Sequence, residues 1–167
     1  MAHQRERSAG VVVLKWSEEG WRFLALETDM SWKDGSSRLD LPKGHVERGE
    51  DWLEAAVRET EEEAGIDEAS LDFTWGASYH DCEKPDKVSR MFIASTAARP
   101  TIRRNPVTRR KEHTGTLWVR LDDEATVARI HPYLRSCIEW ARKVVSRDRL
   151  HSAHGSVSGR ARDTSRG

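Results

Sequence analysis

Three glutamates, Glu59, Glu62 and Glu63, are spaced i, i+3 and i+4, a spacing that on a helix gathers side chains onto one face. Carboxylates brought together this way repel one another unless a cation lies among them. Hard oxygen ligands of this kind suit Mg2+ or Mn2+ rather than zinc. The surrounding segment, residues 44–66, holds eight acids against two bases, whereas residues 99–111 hold six bases and no acid. The chain as a whole balances at 28 Lys+Arg and 28 Asp+Glu, so its neutrality is a sum of opposed regions. That separation suits a site where a divalent cation and a polyanion meet. A solvated acidic helix and an unrelated basic loop would give the same counts.

The elements that must position these groups read as mixed α/β. Ala9–Trp16 is rich in β-branched residues, Ser17–Gly20 is a turn, and Trp21–Glu27 alternates as a second strand of a hairpin. Thr28–Arg38 reads as a polar loop, and a short strand at Leu39–Leu41 stops at Pro42. Asp51 to Ala64 has helical periodicity, with Asp51 and Glu54 as a capping box and Gly65 as the left-handed stop. At 100° per residue, Leu53, Ala56, Val57, Thr60 and Ala64 fall in one arc facing the core, and Glu59, Glu62 and Glu63 in another. Glu54 and Glu61 lie on the opposite flank. Leu71–Tyr79, Val88–Ala97 and Thr116–Leu121 read as further strands, and Pro132 to Val145 as a helix. From Ser146 the composition turns to Ser, Gly, Arg and His, which predicts one domain over 1–146 and a disordered basic tail over 147–167.

At this point the residues match a known pattern. Gly44, five residues, Glu50, seven residues and Arg58-Glu59-Thr60-Glu61-Glu62-Glu63-Ala64-Gly65-Ile66 resembles the Nudix box, Gx5Ex7REUxEExGU with U aliphatic. All seven fixed positions are present, and Thr60 replaces one aliphatic U. The resemblance implies the Nudix fold, an α/β/α sandwich around a mixed sheet, and a metal-dependent hydrolase of nucleoside diphosphates linked to another group. It implies Glu59, Glu62 and Glu63 as metal ligands, joined by the backbone carbonyl of Lys43. Arg58 and Glu50 then hold the loop and helix together, and Gly44 lets the backbone approach the metal. Glu112, six residues before Trp118, matches a loop glutamate that the family uses as ligand or base; an ordinary loop carboxylate is the alternative.

Flanking residues narrow the substrate. Leu41-Pro42-Lys43-Gly44-His45-Val46-Glu47-Arg48-Gly49-Glu50, Tyr79 with Lys84-Pro85 and Lys87, and Glu112-His113 ahead of Leu117-Trp118 resemble the asymmetrically cleaving diadenosine tetraphosphate hydrolases. In that reading Lys43, His45, Lys84 and Lys87 bind phosphates. Tyr79 stacks on adenine, with Trp32 or Trp75 as further candidates. Trp16, Trp21, Trp118 and Trp140 fall in strand or helix patterns and are expected at the core or its edge. Two other substrates stay open: a damaged nucleoside triphosphate, and the 5′ end of RNA, which the basic run and tail favour. No apolar run approaches the ~18 residues of a membrane span. The polar start lacks a signal peptide's apolar stretch, and Cys82 and Cys137 lack CxxC spacing. A cytoplasmic monomer or weak dimer, acting on a small nucleotide without a membrane partner, is expected.

Overall fold

A computed structural model describes residues 4–155. Strand β1, Glu6–Ser17, alternates its buried residues between two faces. Val11 and Val13 join one apolar cluster with Ala55, Ala56, Ala64 and Ile66, while Val12 and Leu14 join another with Leu134, Ile138 and Ala141. A strand buried on both faces needs this continuous apolar run, and a helix must cover each side. Helix α1, Trp52–Ala64, covers the first face. Helix α3, Arg135–Gly155, covers the second. The result is the expected α/β/α sandwich.

The sheet has seven strands. Its main path runs β3 (Ser37–Asp40), β2 (Gly20–Ser31), β1, β6 (Lys87–Ser95), β5 (Tyr79–Lys84), with β4 (Lys43–His45) on β1 and β7 (Gly115–Arg120) on β2. The β1–β6 pair is parallel and the other pairs are antiparallel, so the sheet is mixed. One irregularity matters for function. β1 is registered with β2 over Leu14–Ser17, but over Ser8–Gly10 its partner is β4. Pro42, which has no N–H to give a ladder, sits at the changeover, and its carbonyl accepts from Val11 N–H at 3.1 Å.

Several boundaries differ from the sequence expectation. β2 continues to Ser31, leaving only a short turn where a loop over Thr28–Arg38 was expected. Leu71–Tyr79 is not a strand. Asp72 makes one isolated bridge to Ser95, and a turn through Gly76, at φ 74°, delays the strand until Tyr79. A short helix α2, Glu124–Val127, precedes α3. The segment expected to start the tail belongs to α3, which runs to Gly155; residues 156–167 lie outside the described residues. No helix among the described residues is long and apolar enough to cross a membrane.

Candidate active site

The exchange of partners along β1 opens a cavity of about 510 Å³. Its walls come from both sides of the seam: Ser8 of β1, Thr28 and Asp29 of β2, Asp40 at the end of β3, and Lys43 to His45 of β4. Helix α1 supplies Glu59, Glu62 and Glu63, and the loop before β7 supplies Glu112 and His113. The helix is locked at both ends. Asp51 and Glu54 exchange reciprocal side-chain to backbone bonds of 2.8 and 3.1 Å, and Gly65 takes φ 67°. Thr60, at the aliphatic position of the box, is fully buried, and its hydroxyl donates to Ala56 O at 2.8 Å, so the hydroxyl costs little.

Arg58 ties β4 and the loop to the helix. It donates to both oxygens of Glu50 at 2.8 and 2.9 Å, to His45 O at 2.9 Å, and to Glu59 Oε1 at 2.9 Å. Glu62 adds a longer contact of 3.3 Å. A flat guanidinium is suited to this fork-like pairing, and its charge offsets repulsion along the acidic face. Gly44 completes the fit, since a Cβ there would collide with the Glu59 carboxylate.

The electrostatics are those of a cation site. Burial raises the Glu59 carboxyl, which Glu62 and Glu112 push further while Arg58 opposes. Burial, joined by the Asp40 charge, pushes Glu63 up to about 9 against the donated Lys43 N–H, 3.2 Å away. Asp40 behaves oppositely. Burial raises it too, yet the bond from His113 and the nearby Lys43 ammonium hold it at about 2. Lys43 Nζ lies 3.3 Å from Asp40 Oδ1, and His113 Nε2 lies 3.6 Å from Asp40 Oδ2. Glu63, Glu112 and His113 each offer a ligand atom within 4.8 Å of the others. His113 is paired to Asp40, and Glu59, Glu62, Glu63 and Glu112 each keep a second carboxylate oxygen beyond the one their protein partner uses, a set that fits a hard divalent cation.

Of the expected site residues, Lys43, His45, Glu59, Glu62, Glu63, Lys87 and Glu112 meet in this cavity. His45 Nδ1 and Lys87 Nζ both lie 3.2 Å from the same oxygen of Glu6. Trp32, Tyr79 and Lys84 do not line it. Trp32 donates its indole N–H to Arg129 O at 2.8 Å and carries Arg38 on its face. The Tyr79 ring is covered by Arg90 at 3.8 Å, and Lys84 lies 4.4 Å over the ring of Tyr133. Trp75, Trp21, Trp118 and Trp140 pack against the core, but Trp16 is 56% exposed, contrary to expectation, because it falls beside the turn of the β1–β2 hairpin, where its ring meets Trp21 edge-on. Asp40, Asn105 and Arg103 line the cavity without having been singled out for it, and Ser8 adds a buried hydroxyl with no partner among the described residues. Of these, Arg103 falls within the basic run over 99–111, and the others carry no local signal.

Residues 4–141 match the NUDIX domain. The chain belongs to the NUDIX family. Relatives within it include the asymmetrical bis(5′-nucleosyl)-tetraphosphatase of Sus scrofa, 36% identical over 91 residues, 52% of this chain. That match spans 58% of the pig enzyme's own length. The Mus musculus protein of the same name is 29% identical over 132 residues, 73% of this chain and 84% of its own. An RNA pyrophosphohydrolase of Rhizobium meliloti is 44% identical over 63 residues, 37% of this chain and 38% of its own. A C. elegans Ap4A hydrolase binary complex superposes with a TM-score of 0.64 at 24% identity, covering 84% of this chain and 98% of that one, which establishes the common NUDIX fold.

Proposed function

We propose that this NUDIX protein is a divalent-metal-dependent pyrophosphohydrolase that cleaves a dinucleoside polyphosphate, taking diadenosine tetraphosphate and water to ATP and AMP. The observation that carries the reading is the cavity itself, lined by Glu59, Glu62, Glu63 and Glu112 and also by Lys43, His45, Lys87 and Arg103. A polyphosphate chain needs both. Glu59, Glu62, Glu63 and Glu112 would hold Mg2+ or Mn2+, which would supply charge neutralisation and acidify the attacking water. Lys43, Lys87 and Arg103, with the His45 imidazole, hold the remaining phosphate oxygens and align the scissile P–O bond, so positioning does much of the work. Glu112 is exposed and sits on a loop, where it is suited to accept the proton of the attacking water. Arg58 keeps Glu59 and the β4 backbone in register throughout.

Beside the cavity, Trp32, His131, Tyr133 and Lys84 form an aromatic and cationic surface, with His131 and Tyr133 rings 5.0 Å apart. Burial and then the charges of Lys84, Arg38, Arg135 and Lys43 hold His131 below its ordinary pKa, which marks a positive field. We assign a nucleobase with its adjoining phosphate to this surface, where Lys84 and Trp32 keep a substrate role; Trp32 and Tyr79 each carry an arginine over the ring, and Tyr79 lies apart from this surface. The relatives named for asymmetrical tetraphosphatase activity support the same substrate. Removal of pyrophosphate from RNA 5′ ends is the second reading. It is favoured by the Rhizobium relative and by the exposed Arg103, Arg104, Arg110 and Lys111 at the rim. Chromatographic product analysis with Mg2+ tests both, along with nucleoside triphosphates. ATP plus AMP is expected. Two ADP, or no turnover at micromolar enzyme, overturns the first reading, and a higher kcat/KM on triphosphorylated RNA replaces it with the second.

A further inference from the structure

The basic loop is built around one side chain that also touches the site. Asn105 Oδ1 accepts the backbone N–H groups of Val107 at 2.9 Å and Thr108 at 3.0 Å. The backbone of Asn105 closes the same turn, its N–H donating to Arg110 O and its carbonyl accepting from Arg109 N–H, both at 2.8 Å. Arg109 is held at φ 57°, a region that side chains other than glycine rarely enter, so the loop conformation is imposed by these bonds. With its oxygen committed to two donors, Asn105 presents its amide nitrogen outward, and Nδ2 donates to Glu112 Oε1 at 2.9 Å. A reversed amide would set N–H against N–H and oxygen against carboxylate, so the backbone fixes the orientation.

Glu112 is exposed, and this is the hydrogen bond its side chain makes among the described residues. A free glutamate in such a place samples several rotamers. Here one oxygen is anchored, and the carboxylate is held within reach of Glu63 and His113. We infer that Asn105 is a positioning residue that aims the Glu112 carboxylate into the cavity and ties its aim to the folding of the basic loop. The inference rests on the reading of Glu112 as a site carboxylate.

Asn105→Asp separates the two jobs of this side chain. The aspartate oxygen still accepts from Val107 and Thr108, so the turn is kept, but a carboxylate now opposes Glu112. Steady-state hydrolysis of diadenosine tetraphosphate with Mg2+ is measured for the parent, Asn105→Asp, Glu112→Gln and the double variant. Expected is a loss in kcat of about 10–100-fold for Asn105→Asp, with KM within about twofold, as for residues that orient a ligand from behind. Glu112→Gln, whose amide oxygen still accepts from Asn105, loses about 100-fold or more. In the double variant the Asn105→Asp loss disappears, because nothing remains to be aimed. An undiminished loss on the Glu112→Gln background, or a loss confined to KM, overturns the inference alone. A fully active Glu112→Gln, or a parent without turnover, overturns the reading of the site first and the inference with it.

Discussion

Glu63→Gln tests the electrostatic account of the cavity without reference to turnover. Burial and the Asp40 charge carry the Glu63 pKa from an ordinary 4.5 to about 9. The folded protein therefore holds this proton more tightly than the unfolded chain. Stability from the neutral carboxyl is complete below about pH 4.5 and is lost as pH rises through about 9. Each pH unit inside that window is worth at most ~1.4 kcal/mol. Relaxation and water entry reduce the sum, so a net penalty on the order of 2 kcal/mol at pH 8 is the reasonable scale. Glutamine imitates the neutral acid at every pH. In EDTA the variant should match the parent near pH 5 and exceed it by about 2 kcal/mol at pH 8, a rise in Tm of about 4–8 °C. Millimolar Mg2+ or Mn2+ should reverse the order, because the cation stabilises the parent through binding and the variant has lost a charged ligand. Thermal unfolding from pH 5 to 8.5, with and without the cation, reads all of this. Parallel pH curves for the two proteins in EDTA would refute the reasoning.

Three further perturbations separate chemistry from scaffold. Glu62 is 42% exposed at its side chain, so Glu62→Gln should leave stability within about 0.5 kcal/mol; loss of a ligand should nonetheless cost several orders of magnitude in rate, read by single-turnover kinetics. Arg58→Ala strands Glu50, whose side chain is only 15% exposed, and frees His45 O. It should cost about 1–3 kcal/mol in urea unfolding, and Arg58→Lys should recover little, since an ammonium cannot reproduce the fork. Gly44→Ala drives a methyl group against the Glu59 carboxylate. A displacement of about 1 Å there should lower kcat about 100-fold, while circular dichroism shows the fold retained.

Helix α1 could be read from sequence because everything that defines it is local. The capping box joins residues three apart, the left-handed glycine ends it, and the carboxylates converge by helical spacing alone. Gly44 and Arg58 act on neighbours within the same loop–helix unit, so their roles also follow from the pattern. Asp40 and His113 are different. They stand 73 positions apart, and they meet only because β3 and β7 both take their register from the C-terminal half of β2, through Leu26↔Asp40 and Leu26↔Thr116. Nothing in either neighbourhood announces that pairing. Leu71–Tyr79 misled for a related reason. Its alternation is real, but a strand also needs an edge to join, and with the turn at Gly76 only Asp72 bridges β6 before the ladder starts at Tyr79. Trp32, offered by the sequence as a stacking candidate, instead gives its indole N–H to Arg129 O and its ring to the Arg38 guanidinium, the first distant in sequence and the second across the turn.

The overall neutrality of the chain takes on a sharper meaning at the site. His45 and Lys87 are poised around the cavity, yet both are paired with one oxygen of Glu6. Lys43 is likewise held by Asp40, and Arg58 by Glu50 and Glu59. Lys43, Lys87 and Arg58 are therefore already paired with acids of the protein, and His45 shares the Glu6 oxygen with Lys87. A phosphate oxygen arriving at His45 or Lys87 replaces a carboxylate rather than water, and the gain from any one such exchange is small. A monophosphate makes one exchange. A polyphosphate makes several at once along a single chain, with the acidic wall opposite demanding a cation that only a multiply charged ligand can share. Under the proposed function, selectivity for long phosphate chains would follow from these pairings, which several phosphates exchange together and one exchanges singly. Replacing Glu6 by glutamine should weaken that selectivity by strengthening binding of short phosphates most, a change readable in their inhibition constants.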